Sequence, residues 1–273
     1  MLLKNLDRKI IFESYGVTVT IEGNDADVLA KATEIANTAL LGQLEFIENA
    51  PKNGPRLGVG VDSIGTLYLF QDGVELARTE SETRFFKFFN GVVRLAVAGN
   101  SVDRVFVHAG VIGWKGRAVV IPGTSHSGKT TLVAEFLKLG AVYFSDEYAI
   151  LDLDGKVHPF ARPLLMRGQN GVYSENIVAV ETISDKIAVE PWEIGAVLIT
   201  EFQSEAEWKP EALSIGGGIL ETIPHAIPIS SDAKLAMRVL SKAYERAIIV
   251  KSPRGDAAAA ARIMADFLDG HLN

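Results

Sequence analysis

The sequence predicts an α/β protein in two parts, a small α+β region over residues 1–102 and a larger mixed-sheet domain over residues 103–273. Three observations carry this expectation. Apolar runs of strand length alternate with segments whose apolar residues recur at helical spacing. Ala118–Leu139 reads continuously as strand, glycine-rich loop and helix. The texture of the chain changes near Asn100–Arg104, where short half-polar strands give way to longer apolar ones.

Taking the elements in order, Ile11, Val17, Val19 and Ile21 alternate with polar residues and predict strands between Lys9 and Glu22. Asn24-Asp25 offers a helix start, and Ala26–Leu41 repeats apolar residues at helical spacing. The turn formers of Pro51–Pro55 precede two short strands, Leu57–Val61 and Thr66–Phe70. Ser81 is placed to cap a helix whose Phe85, Phe86, Phe88, Phe89, Val92, Val93 and Leu95 form a buried face, ending near Gly99-Asn100. Then VFVHAGVIGW, Lys115-Gly116 and RAVVIPG read as two strands around a tight turn. A helix over Lys129–Leu139 is followed by the strands AVYF and AILDL, a turn at Asp154-Gly155, and KVHPF. GAVLIT and AIIV read as buried strands, and Ala257–Leu268 as a terminal helix.

Composition limits the functions open to this fold. Hydrophobic residues make up 48% of the chain, enough for a packed core and too many for a disordered one. There is no cysteine, which removes disulfides, thiolate zinc sites and a cysteine nucleophile. With 34 acidic against 27 basic residues the net charge is −7, and no long basic run offers a footprint for nucleic acid. Charges at Lys4, Asp7, Arg8 and Lys9 interrupt any export signal, and no stretch is long enough to span a bilayer. A soluble, cytoplasmic protein without a membrane partner is expected.

Gly123–Thr130, GTSHSGKT, matches G-x-x-x-x-G-K-[ST] in full. Gly123 and Gly128 permit the backbone angles that turn successive amides towards phosphate oxygens. The nucleotide-binding set is Gly123, Thr124, Ser125, His126, Ser127, Gly128, Lys129, Thr130 and Thr131. Within it Lys129 supplies charge to the β- and γ-phosphates of ATP, and Thr130 a hydroxyl for Mg²⁺. The positive end of the following helix adds to the attraction. Asp146-Glu147, at the end of the next apolar run, can hold Mg²⁺ or take a proton from an attacking hydroxyl, with Glu201 as a rival metal-holding acid. His108 reads either as a hydrogen-bonded core residue or as a site group, and His126 as a phosphate contact or a solvated side chain. His158, His225 and His271 lack metal-ligand spacing.

VHAGVIGWKGRAVVIPGTSHSGKTTL followed by AVYFSDEYAILDLDGKVHPFARPL resembles the catalytic core of the HPr serine kinase/phosphorylase family, whose nucleotide-binding architecture is shared with ATP-dependent phosphoenolpyruvate carboxykinase. The resemblance runs from His108 to about Leu164 and weakens beyond. It implies a P-loop kinase domain of that type, with His108 in the active-site histidine position, Lys129 as the phosphate lysine and Thr130 as the Mg²⁺ hydroxyl. It further implies that Asp146 is the catalytic base, that Glu147 and Glu175 are metal-binding acids, and that Arg254 is the late catalytic arginine. The family's Glu-Ile-Arg-Gly signature does not follow Pro163, where LLMRGQNGVYSEN keeps only an Arg-Gly pair, and no family regulatory domain is visible before residue 103.

The expected activity is therefore ATP- and Mg²⁺-dependent transfer of the γ-phosphoryl group to a hydroxyl, serine first, of a protein, peptide or small molecule other than HPr. Two alternatives stand beside it: a nucleotide-binding regulatory or scaffold protein without transfer activity, and a P-loop ATPase in which Glu201 polarises water. Homo-oligomerisation stays open, with the Phe85–Leu95 helix face as a candidate interface.

Overall fold

The computed structural model describes residues 6–48, 54–124, 127–167, 175–227 and 232–272. The chain is a mixed α/β protein that divides into two compact units, Met1–Asp103 and Arg104–Asn273. Among the described residues no helix is long and apolar enough to cross a membrane.

In the first unit, β1 (Arg8–Ser14) and β2 (Val17–Gly23) form a hairpin, followed by α1 (Ala26–Ala39), β3 (Glu45–Phe46), β4 (Arg56–Val61), β5 (Leu67–Gln71), β6 (Val74–Thr79) and α2 (Glu82–Asn100). The sheet runs β3-β1-β2-β4-β5-β6, with β2 and β4 parallel because α1 carries the chain back between them. Asp25 caps α1 by accepting from the Asp27 and Val28 amides, and Ser81 caps α2 through the Arg84 amide. On α2, Phe85, Phe86, Phe89, Val92 and Val93 are buried, whereas Phe88 and Leu95 are 47% and 53% exposed. The expected apolar face is thus narrower than the run of apolar residues. Phe88 and Leu95 stand seven positions apart and share a second face, turned outward.

The second unit begins with β7 (Arg104–Trp114) and β8 (Arg117–Pro122), then α3 (Lys129–Lys138), β9 (Val142–Ser145), β10 (Tyr148–Asp152) and β11 (Val157–His158). A separate hairpin, β12 (Leu164–Arg167) and β13 (Glu175–Val178), precedes β14 (Ile194–Ile199) and β15 (Glu211–Ala212). The chain closes with α4 (Ile215–Thr222), α5 (Ala233–Ala243), β16 (Ile248–Lys251) and α6 (Ala257–His271). The main sheet has the order β11-β10-β7-β8-β14-β16-β15, with β9 paired to β7. Strands β8, β14 and β16 are parallel, and the other pairings are antiparallel.

Alternation along the central strands fills two cores. Val105, Val107, Ala109, Val111, Ala118 and Val120 face α4 and α5, meeting Ile219, Leu235, Val239 and Leu240. Ile112, Val119 and Ile121 face α3 and α6, meeting Leu132, Val133, Phe136, Met264 and Leu268. This is why β8 reads as an unbroken apolar run: both of its faces are covered. Gly110 lets α3 approach β7, since a Cβ there would stand 2.7 Å from Val133 Cγ2.

β7 is long enough to serve two partners along one edge. β10 pairs with Arg104–His108, and β9 with Val111–Gly113. The link between them, Asp146-Glu147, therefore falls beside Ala109, whose amide donates to the Glu147 carbonyl oxygen at 3.1 Å. Along the other edge, β8 ends with Pro122 opposite Ala109, so the glycine-rich loop starts at the same level. Three chain segments meet around His108 and Ala109.

Candidate functional site

The loop opens where Gly123 and His108 bond twice. His108 Nδ1 lies 2.7 Å from the Gly123 carbonyl oxygen, and the Gly123 amide donates to the His108 carbonyl oxygen at 3.2 Å. A carbonyl only accepts, so Nδ1 carries the proton and Nε2 keeps the lone pair. Burial, and then the Lys129 charge, push the His108 pKa below its ordinary value and favour the neutral ring.

Gly128 ends the loop at φ 82°, a left-handed conformation, and serves as the N-cap of α3. Among the described residues no side chain caps this helix, and no acid stands in its first turn. By contrast, α1, α2, α4, α5 and α6 are capped by Asp25, Ser81, Ser214, Asp232 and Asp256. The first amides of α3 therefore have no side-chain acceptor among the described residues, the arrangement that suits an anion. Lys129 is only 7% exposed and donates to the Thr124 carbonyl oxygen at 2.6 Å. Burial pulls its pKa down to about 8, against the opposing pull of Asp146 and Glu147.

Across from the loop, Asp146 gathers donors. Thr130 Oγ1 donates to its Oδ2 at 3.0 Å, and the Tyr143 hydroxyl lies 3.2 Å from its Oδ1 and 2.8 Å from the Arg162 carbonyl oxygen. Burial raises the Asp146 pKa, the Thr130 hydrogen bond lowers it, and the neighbouring Glu147 charge raises it. Glu147 forms an ion pair with Arg162. Ser145 Oγ fixes the turn by accepting from the Glu147 and Tyr148 amides at 3.1 and 3.0 Å.

These groups line a cavity of about 460 Å³ that holds His108, Lys129, Thr130, Thr131, Asp146, Glu147 and Arg162, with Leu165 and Met166 on one wall. A second cavity, also about 460 Å³, lies on the Gly123, Thr124 and Ser127 side of the loop and includes Thr200, Glu201, His225 and Ser252. Among the described residues, Ser127 Oγ and Thr200 Oγ1 are buried without a hydrogen-bond partner. Glu201 is exposed and lines the second cavity, apart from Thr130 and Asp146.

The structure thus brings together His108, Lys129, Thr130, Asp146 and Glu147. Arg254 lines neither cavity; it is buried behind the loop, with Nη2 donating to the Gly128 and Ser127 carbonyl oxygens. Ser125 and His126 lie outside the described residues, and of Glu175 only the backbone, at the start of β13, is described. Among the described residues no group of three or more acids and histidines is spaced to hold a metal ion. Sequence reasoning passed over Tyr143 and Arg162. Tyr143 reads as one more member of an apolar run, whereas the Arg-Pro step near the end of the resembling segment was a usable signal for Arg162.

Among solved structures, the Hpr(Ser) kinase/phosphatase from Coxiella burnetii is similar over 61% of this chain and 95% of that chain, with 10% sequence identity and a TM-score of 0.31. No family model and no curated protein matches the sequence. The likeness is a distant structural relationship and bears no weight in assigning an activity.

Proposed function

We propose that the second unit is an ATP- and Mg²⁺-dependent phosphotransferase acting on a hydroxyl, serine first, of a protein, peptide or small molecule. The observation that carries the reading is the 3.0 Å hydrogen bond from Thr130 Oγ1 to Asp146 Oδ2, which joins the phosphate loop to the candidate base. The residues present suit the ligands. The uncapped start of α3, the unpartnered Ser127 hydroxyl and the buried Lys129 ammonium offer donors and charge to a polyphosphate. Thr130 with Asp146 or Glu147 would hold Mg²⁺, which takes one or two carboxylates and completes its shell with phosphate oxygens and water. Once bound, the ion would neutralise charge on the β- and γ-phosphates.

In this reading Lys129 and the loop amides orient the γ-phosphoryl group and take up its developing charge. Asp146 accepts the acceptor's hydroxyl proton as a new oxygen–phosphorus bond forms and the bridging β–γ oxygen–phosphorus bond breaks, leaving ADP. Arg162 ties Glu147 in place beside it. His108 contributes a neutral ring whose Nε2 accepts a hydrogen bond.

The test is transfer from γ-labelled ATP into a lysate of the source cell, beside calorimetric ATP binding. Lys129→Ala should abolish both. Asp146→Asn should keep binding and reduce transfer by roughly 10²–10⁴-fold. Undiminished transfer by Asp146→Asn would sink the mechanism. Binding without any turnover would instead support a regulatory protein, and acceptor-free phosphate release lost in Glu201→Gln would support an ATPase.

A further inference from the structure

Arg254, in the segment after β16, is 2% exposed, and among the described residues its side chain bonds only to backbone carbonyl oxygens. Its Nη2 donates to Gly128 at 3.0 Å and Ser127 at 3.4 Å, and its Nη1 to Gly255 at 3.1 Å. The guanidinium carbon stands 5.8 Å from the centre of the Phe202 ring, and Nε is buried without a hydrogen-bond partner among the described residues. Among the described residues no carboxylate lies within ion-pair distance of it. Asp256, two positions on, is turned to its own helix, accepting from the Ala258 and Ala259 amides.

In a trans peptide the carbonyl and the following amide point in opposite directions, and the described chain contains no cis peptide. Drawing the Ser127 carbonyl onto the guanidinium therefore turns the Gly128 amide to the opposite side of the loop, and the Gly128 carbonyl, held jointly by Arg254 and by the Leu132 amide at 3.1 Å, turns the Lys129 amide away from Arg254 as well. Glycine at 128 is required for this approach as well as for its φ, since a Cβ would stand 2.5 Å from Arg254 Nη2. Asp256 acts on this charge only through space, and a buried charge without a contacting carboxylate is costly unless a ligand supplies the opposite sign.

We propose that Arg254 is a positioning residue for the phosphate loop: it holds the Ser127 and Gly128 carbonyls from behind, aims the paired amides at the polyphosphate, and sets a buried positive charge beneath it. The inference rests on the nucleotide reading above and gives Arg254 a role distinct from contact with the reacting phosphoryl group.

The test is calorimetric binding of inorganic tripolyphosphate to the full chain, over a salt series, with folding followed by circular dichroism. Arg254→Gln keeps amide donors without charge, and Arg254→Lys keeps charge without the two-armed fork. Arg254→Gln should bind roughly tenfold more weakly with a shallower salt dependence, and Arg254→Lys about threefold more weakly. A folded Arg254→Gln that binds like wild type would overturn the inference. If Arg254→Gln does not fold, Arg254→Lys decides: binding equal to wild type, or lost as completely as in Lys129→Ala, overturns it. A wild-type protein that binds no tripolyphosphate overturns the nucleotide reading as well, so the two failures are distinguishable.

Discussion

His108 and Gly123 hold one another across the end of the β7–β8 pair, ring Nδ1 to carbonyl oxygen at 2.7 Å and amide to carbonyl oxygen at 3.2 Å. The contact fixes both the start of the glycine-rich loop and the tautomer of the histidine. Nitrogen-15 NMR should therefore find Nδ1 protonated and Nε2 bare at neutral pH. Titration should fall below the ordinary histidine value of 6.5, as burial and Lys129 dictate. For stability, a histidine with a depressed folded pKa costs nothing above pH 6.5 and destabilises the fold as pH drops from there towards its folded value. A free-protein midpoint above 6.5 would contradict this.

Lys129 makes a proton-uptake prediction. With its pKa near 8, the free protein at pH 8 carries this lysine about half protonated, and a bound polyphosphate should complete the protonation. Calorimetry of tripolyphosphate binding in two buffers of different ionisation enthalpy should show uptake of about half a proton at pH 8, fading towards pH 6. No buffer dependence at pH 8 would count against it. Because the charged form is disfavoured by burial, stability falls as pH drops from 10.5 to about 8 and is level below that. Lys129→Met should accordingly melt no lower than wild type at pH 7 while losing tripolyphosphate binding.

Tyr143→Phe removes the hydroxyl shared between Asp146 and the Arg162 carbonyl. The fold should lose about 1 kcal/mol, read by denaturant unfolding. The Tyr143 hydrogen bond lowers the Asp146 pKa, so its removal should move the acid limb of the transfer rate to higher pH. A limb that stays fixed or moves to lower pH would show that Tyr143 does not tune Asp146.

Gly110→Ala should separate α3 from β7, since the added methyl meets Val133 Cγ2 at 2.7 Å. A loss of about 1–3 kcal/mol is expected from overpacking. Val133→Ala in the same chain should restore part of it, a coupling visible in a double-mutant cycle.

Much of the site was legible because its signals are local. The glycines, Lys129 and Thr130 sit on consecutive positions between a strand and a helix, and strand-end acids mark themselves by polarity after an apolar run. What depends on tertiary pairing was not legible. Nothing in VYFSDE says that Tyr143 bends back to Asp146, and nothing in KSPRGD says that Arg254 is buried against loop carbonyls. β6, with its charged sequence VELART on a sheet edge, lacks the apolar alternation by which strands are found. α5 did carry a signal, since Leu235, Ala236, Val239, Leu240 and Ala243 recur at helical spacing and are buried together. The paired β9 and β10 follow from the length of β7, which no short motif encodes.

In the proposed function, the uncapped start of α3 would make the polyphosphate a part of the fold. A side-chain cap contributes about 1 kcal/mol to its helix, and α3 forgoes it at the N-terminus where the phosphate motif lies. A polyphosphate anion would finish this helix as Asp25 or Ser81 finishes α1 or α2. Part of the binding free energy would then be spent ordering the first turn, and the amides of Lys129 and its neighbours should exchange with solvent faster in the free protein than in the complex. Local order at the helix start would thereby become a gauge of nucleotide occupancy.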